Sequence, residues 1–319
     1  MNEYYYEQPP YRPPTEGYSL LIRVTRNCPW NKCEFCSMYK GTRFELRPVE
    51  EVKNDIKAMR RAADAIREWA WRNGHGDRVG MVARANGILW LNEGVAKNVF
   101  LADSNSVIIK TTDLVEIVRF IYETFPTVER LTSYARAKTL AKKTPDELRI
   151  LREAGLTRLH VGLETGDDEL LTYVQKGATS EEMIRGGRKA VEAGFELSEY
   201  VMPGLGGRER WQQHALGSAR VLNAVNPHFI RLRTFSVAPG TPIEDKYNRG
   251  EFTMQSTEDL VLEVRTLVEA LDVTSEFVVS DHIMNRYIWG ADGKLPQDKK
   301  KIVDTLDSTL ERLRVGAKK

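Results

Sequence analysis

Apolar positions along this chain follow two periods that take turns. The runs "YSLLIRVT" (18–25), "KNVFLAD" (97–103), "ERLTSYA" (129–135), "TRLHVGLE" (157–164), "FELSEYVM" (195–202) and "HFIRLRTF" (228–235) are short and apolar, and each reads as a strand. Between them lie longer stretches with helical spacing. "PVEEVKNDIKAMRRAADAIREWAWR" (48–72) is the clearest, with Pro48 suited to a first turn. Others are "TDLVEIVRFIYETF" (112–125) and the segments around 145–154, 180–193 and 208–225. Short strands alternating with helices predict βα units, a parallel sheet and right-handed crossovers. Six such units before residue 240 predict an α/β fold built as an open or partial (β/α)6 barrel.

Flanking regions depart from that rhythm. Residues 1–17 carry Pro9, Pro10, Pro13 and Pro14 and read as an extended N-terminal arm. The core spans 18–240, with an insertion at about 73–96. From 241 to 319 the chain reads as a mainly helical, charged C-terminal extension packing on the core, and "SEFVVSDHIMNRYIWG" offers one further strand. In a barrel of this kind chemistry sits at the C-terminal ends of the strands. Asp103, Tyr134, Glu164, Met202 and the segment after Phe235 all fall there, as does a cysteine-bearing loop after the first strand.

Charge narrows the partners. Lys plus Arg number 47 against 45 for Asp plus Glu. That balance supplies no global field for nucleic acid or an anionic membrane and argues against both as partners. No apolar run reaches the roughly 18–20 residues of a membrane span. The start, "MNEYYYEQPPYRPPTEGYS", has an acid, tyrosines and prolines where a signal peptide carries a basic and then an apolar stretch, so the expected compartment is the cytoplasm.

All three cysteines lie within "CPWNKCEFC", at Cys28, Cys33 and Cys36. In a reducing compartment such a cluster points to metal rather than disulfides. A structural zinc site wants a fourth Cys or His, and His75, beyond a predicted long helix, is the nearest candidate. Three thiolates without a local fourth ligand suit a [4Fe–4S] cluster with one iron open to a small molecule. Three buried neighbours without a metal, or an unusual zinc site, are the plainer alternatives.

At this point the chain resembles the radical S-adenosylmethionine (SAM) superfamily, in particular the subgroup of elongator- and coproporphyrinogen-oxidase-like proteins. Its C-x4-C-x2-C spacing has one residue more than the common C-x3-C-x2-C. The likeness runs over roughly residues 11–290, through "YRPPTEGYSLLIRVTRNCPWNKCEFCSMYKG", "VFLADSNS", "SYARAKTL", "VGLETGDDELLTYVQKG", "VMPGLGG" and "RLRTFSVAPGTP". It implies a radical SAM enzyme in which Cys28, Cys33 and Cys36 hold the cluster. The open iron would chelate the amino and carboxylate groups of SAM. Reductive cleavage would then give a 5′-deoxyadenosyl radical that takes hydrogen from substrate.

Residue by residue, the resemblance places Phe35 beside the adenine end of SAM, and Asp103 on its amino group where relatives have a Gly-Gly-Glu-like turn. It also places Glu164 and, less directly, Tyr200 on the ribose, Lys176 on the carboxylate, and Val237 and Ala238 against adenine. Each has a plainer alternative: a loop prop for Phe35, a turn cap for Asp103, a solvated lysine before a glycine for Lys176. On the substrate side Arg231 and Arg233 share one strand face and would favour a carboxylated or phosphorylated molecule, unless an internal salt bridge consumes them. Arg136, Asp281 and His282 are further candidates, His282 as a proton donor.

The resemblance implies an oxygen-labile enzyme acting on a small molecule, with an electron donor such as flavodoxin or ferredoxin. The absence of further cysteines speaks against auxiliary clusters, and neither a cobalamin domain nor a small basic β-barrel is expected. Two other readings stay open: an oxidative decarboxylase or dehydrogenase of the coproporphyrinogen-oxidase type, and a non-catalytic cluster- or heme-carrying chaperone.

Overall fold

The computed structural model describes residues 4–316. Its sheet strands are β1 (Leu20–Arg23), β2 (Asn98–Ala102), β3 (Arg130–Ala135), β4 (Arg158–Glu164), β5 (Glu196–Val201), β6 (Phe229–Leu232), β7 (Glu276–Val278) and β8 (Gly293–Lys294). They form one sheet in chain order, parallel from β1 to β7 with β8 antiparallel at the edge. The long helices are α1 (Val49–Arg72), α2 (Thr111–Thr124), α3 (Pro145–Glu153), α4 (Ser180–Glu192), α5 (Gly207–Val225), α6 (Thr257–Ala270) and α7 (Lys299–Gly316). Among the described residues no helix is long and apolar enough to cross a membrane.

Strand alternation explains the layering. Leu20 and Ile22, Val99 and Leu101, Leu159 and Val161, and Leu197 and Val201 face one way and join Ile56, Met59, Ile117, Ile121 and Leu222 of the helices in the main core. The opposite face is also buried, as parallel sheets require, but it is mixed. Leu21, Phe100 and Ala102 pack there with Tyr134, and Thr132, His160 and Ser198 are fully buried on the same side. Capping boxes start three of the helices, at Thr144–Glu147, Thr179–Glu182 and Ser256–Asp259.

The predicted barrel is present: the six strands expected before residue 240 are all there, β7 lies in the segment read as one further strand, and β8 adds an edge. The sixth strand ends at Leu232 rather than Phe235. Thr234 leaves the ladder because its N–H and hydroxyl both bond Asn285 Oδ1, at 3.0 and 2.9 Å. The 73–96 stretch holds a short helix, Val79–Ala85, flanked by single turns at Gly76–Arg78 and Leu89–Leu91, and it buries Trp90 and Leu91. The proline-rich arm turns inward at its end: Pro14–Glu16 makes a single turn and Glu16 is fully buried.

Candidate functional site

A cavity of about 340 Å³ opens at the C-terminal ends of the strands, within the range of small-molecule sites. Cys28, Cys33, Cys36, Glu164 and Lys176 all line it.

The cysteine loop is bolted down from several sides. A two-residue ribbon, Thr25–Arg26 with Glu45–Leu46, closes its base. The Trp30 indole donates to the Gln175 carbonyl at 2.7 Å, and the Glu34 N–H donates to the Val174 carbonyl at 2.9 Å. The Glu34 carboxylate, between two of the cysteines, accepts from Gln175 Nε2 at 2.7 Å and from the Lys246 ammonium. All three thiols are half-buried. Burial pushes the Cys33 and Cys36 thiols up, while the nearby Lys176 ammonium pulls both down. Among the described residues no three Cys, His, Asp or Glu side chains converge as a single ion would need.

Glu164 and Lys176 form the second element. Lys176 Nζ donates to Glu164 Oε1 at 2.8 Å, with both side chains 14% exposed. Desolvation works against the Lys176 ammonium, but the Glu164 carboxylate outweighs it and holds the pKa above the ordinary lysine value. The register slips between Gly162 and Glu164, and Glu164 takes a left-handed φ of 61°. Bulges of this sort re-aim a side chain at the end of a strand. Here the carboxylate folds back over Gly162, where a Cβ would lie 2.2 Å from Glu164 Oε1.

Several other expected residues also line the cavity. Phe35 does so and packs on the apolar group of Leu170, Val174, Leu205 and Phe235, with Lys176 Nζ 5.9 Å from its ring centre. It is both prop and wall. Ala238 lines the cavity while Val237 packs behind, against the same apolar group. Tyr200 faces in, its hydroxyl buried without a partner among the described residues. His282 lines the mouth and accepts from the Met284 N–H at 3.3 Å. Burial, then the neighbouring Arg233, lowers its pKa.

Asp103 and Arg231 are placed differently. Asp103 is fully buried and off the cavity wall. It accepts from Arg23 Nε at 2.7 Å, from the Asn27 N–H at 2.9 Å and from the Tyr39 hydroxyl at 3.3 Å. Its carboxylate is spent on tying β1 and the cysteine loop to β2, which leaves it unavailable to a ligand amino group. Arg231 is likewise consumed, by Ser198 Oγ at 3.1 Å and by the Asp281 carboxylate. The expected arginine pair therefore reduces to Arg233, which is exposed and lines the mouth.

Other functional candidates escaped the sequence reading. His160 is fully buried and lines the cavity. It lies on the same strand face as Gly162 and Glu164, so period-two counting back from Glu164 would have found it. Arg136, already named among the substrate-side candidates, donates to the Lys176 carbonyl at 3.0 Å and lies 5.3 Å from the Trp30 ring centre, beside Cys28 and Cys33. Glu199, on the helix-facing side of β5, is 3% exposed and its Oε2 has no partner among the described residues.

Comparison with known proteins agrees with this geometry. Residues 90–216 match the family model of the Radical SAM superfamily, a span that starts after the cysteine loop. The chain is 23% identical over 116 residues to the tRNA uridine(34) acetyltransferase of Methanocaldococcus jannaschii, covering 36% of this chain and 21% of that protein. It is 25% identical over 130 residues to the heme chaperone HemW of Bacillus subtilis, covering 40% and 34%. The chain thus spans a fifth to a third of these relatives' length. Coproporphyrinogen III oxidase (HemN) from Escherichia coli shares the fold with a TM-score of 0.50 and 15% identity, over 79% of this chain and 52% of that one. Residues 90–216 are thus similar to the Radical SAM superfamily, and the parallel sheet shares the fold of coproporphyrinogen III oxidase.

Proposed function

We propose that Cys28, Cys33 and Cys36 hold the cluster, that Glu164 and Lys176 hold SAM beside it, and that hydrogen is taken from a small molecule inside the barrel. The observation that carries this reading is the shared wall: three thiols and a preformed carboxylate–ammonium pair face one cavity. The donor set fits the cofactor, since three thiolates without a fourth protein ligand leave one iron free. When bound, the cluster supplies one electron, and SAM cleavage supplies the hydrogen-abstracting radical.

The chain's own residues position and shield. Lys176, kept cationic by Glu164, offers a point charge to the SAM carboxylate. Glu164 has an oxygen left to accept from ribose hydroxyls. Phe35 and the 236–238 segment bracket the place for adenine. Asp103 serves by fixing the loop base rather than by binding SAM. The electron comes from a low-potential one-electron donor protein such as a flavodoxin or ferredoxin.

The test is anaerobic: reconstitute the cluster, reduce it with dithionite, add SAM and measure 5′-deoxyadenosine. Product that falls to background in Cys33→Ala is the expected result. A chain that takes up about four irons and binds SAM without cleaving it, with or without added tRNA, would instead favour the carrier reading that the HemW match suggests. No cluster at all would overturn the proposal. The tRNA arm is included because two of the matched relatives are named tRNA uridine(34) acetyltransferases.

A further inference from the structure

The depth of the barrel differs chemically from its mouth. Glu16 Oε1, Arg130 Nε, Thr132 Oγ1, both ring nitrogens of His160 and the Tyr200 hydroxyl are buried without a hydrogen-bond partner among the described residues. Such a group is costly to bury if nothing meets it. Of these residues His160 and Tyr200 line the cavity. The His160 ring lies 6.1 Å from that of Tyr134 and 5.7 Å from that of Tyr200, and Phe100 stands edge-on to Tyr134 at 5.0 Å. Tyr134, His160 and Tyr200 thus wall the floor with rings inclined to one another by 57° and 60°.

His160 Nε2 is 3.6 Å from Glu16 Oε1, too long for a hydrogen bond. Burial lowers its pKa, with Glu16 opposing and Arg231 and Arg158 assisting. At neutral pH the ring is uncharged and offers one donor and one acceptor.

The other end of the cavity is cationic. Among its lining cations Lys138 faces Glu182 at 3.3 Å, Lys176 faces Glu164, and Arg136 lies against Trp30. Arg233 makes no ion pair among the described residues. His160 stands level with Ser198 and Phe229 in the sheet register. Arg233 follows Phe229 by four residues, so it sits about 13 Å further along the strands.

We propose that the substrate is a small molecule with a carboxylate at one end, held at the mouth by Arg233, and a neutral hydrogen-bonding group at the other, held at the floor by His160 and Tyr200. One free guanidinium matches one negative charge, and the floor groups match a hydroxyl, amide or ring nitrogen. The inference rests on the reading of this cavity as the radical site.

An isosteric series tests it on the anaerobically reconstituted protein with SAM bound, by calorimetry. The probes are 4-(hydroxymethyl)benzoate, 4-ethylbenzoate, which loses the polar end, and 4-(hydroxymethyl)benzamide, which loses the charge. The first binds, and each replacement weakens binding by about tenfold or more, because a buried polar group is then left unpaired. Arg233→Gln removes the preference for carboxylate over amide. Tyr200→Phe and His160→Phe remove the preference for hydroxymethyl over ethyl. If His160→Phe does not fold, Tyr200→Phe decides the floor alone.

No binding of the first probe, equal binding of all three, or preferences that persist in the variants would overturn the inference. The same preparation is assayed for 5′-deoxyadenosine. Cleavage without probe discrimination rejects this substrate class and leaves the proposed function standing. Discrimination without cleavage keeps the pocket and rejects the radical reading.

Discussion

The mouth and the floor of one cavity are built on opposite terms. At the mouth the polar groups around the cysteine loop are engaged. Glu34 is bonded to Gln175 and Lys246, Asp103 to Arg23, Asn27 and Tyr39, and Lys176 to Glu164. At the floor His160 and Tyr200 are equally buried yet leave their polar atoms unmatched. A site that must present a fixed cofactor geometry gains from side chains locked before binding. A site that must recognise a substrate keeps its hydrogen-bonding capacity for that substrate.

The comparison breaks most sharply at the ion pair. Lys176→Ala strands the Glu164 carboxylate, so SAM affinity falls on the order of 100-fold and stability by about 3 kcal/mol, as for other broken buried pairs. Equilibrium SAM binding and urea unfolding measure the two effects, and unchanged SAM affinity would remove Lys176 from the proposed site. Gly162→Ala comes next. Its Cβ would overlap Glu164 Oε1, so the carboxylate must leave its seat. SAM cleavage falls about tenfold, with a stability loss of about 1–3 kcal/mol typical of overpacking. Glu34→Gln is milder, because the amide still accepts from Gln175 but loses the charged bond to Lys246. The cluster stays, SAM cleavage falls by a few-fold, and stability drops by about 1–2 kcal/mol. A drop as large as that for Lys176→Ala would mean that the loop, not the ion pair, organises the mouth.

How far these regions were legible in the sequence follows the same division. The strands and the helices rest on local periodicity, and the resemblance singled out Glu164 and Lys176, which the structure pairs on the cavity wall. The early end of β6 did not follow from either, because it depends on Asn285, far along the chain. Nor did the burial of Glu16: prolines around it suggest an arm, and only the folded barrel brings Ser19 and Arg130 to its carboxylate. Asp103 was read for a ligand because its strand-end position is right, while its actual partners, Arg23 and Tyr39, come from other segments. Of the floor, Tyr200 was named, though for the ribose, and His160 was missed although its place on the inner face follows from counting by twos.

Glu199 supplies the finest test, since it sits behind the mouth without belonging to it. Its position between Leu197 and Val201 turns it toward the helix core, opposite Val161. Burial raises its pKa well above 4.5; Lys176 pulls it down and Glu164 pushes it up, but burial dominates. Folding therefore takes up a proton between pH 4.5 and the raised value. The stability that Glu199 contributes is fully present below pH 4.5 and is lost as pH rises through the folded value. Glu199→Gln has nearly the same shape and cannot ionise. The variant and the parent should match in acid and diverge as pH rises, with the variant the more stable by up to about 1.4 kcal/mol per pH unit crossed. Carboxylates whose pKa values are lowered, such as Glu7 and Glu16, give the opposite slope but are common to both chains and cancel in the difference. Melting temperatures of the pair across pH 4–8 read this directly, with SAM cleavage close to the parent's throughout. Parallel curves would show that Glu199 stays ionised, which would require a cation nearer to it than Lys176 and would place it inside the network of the mouth.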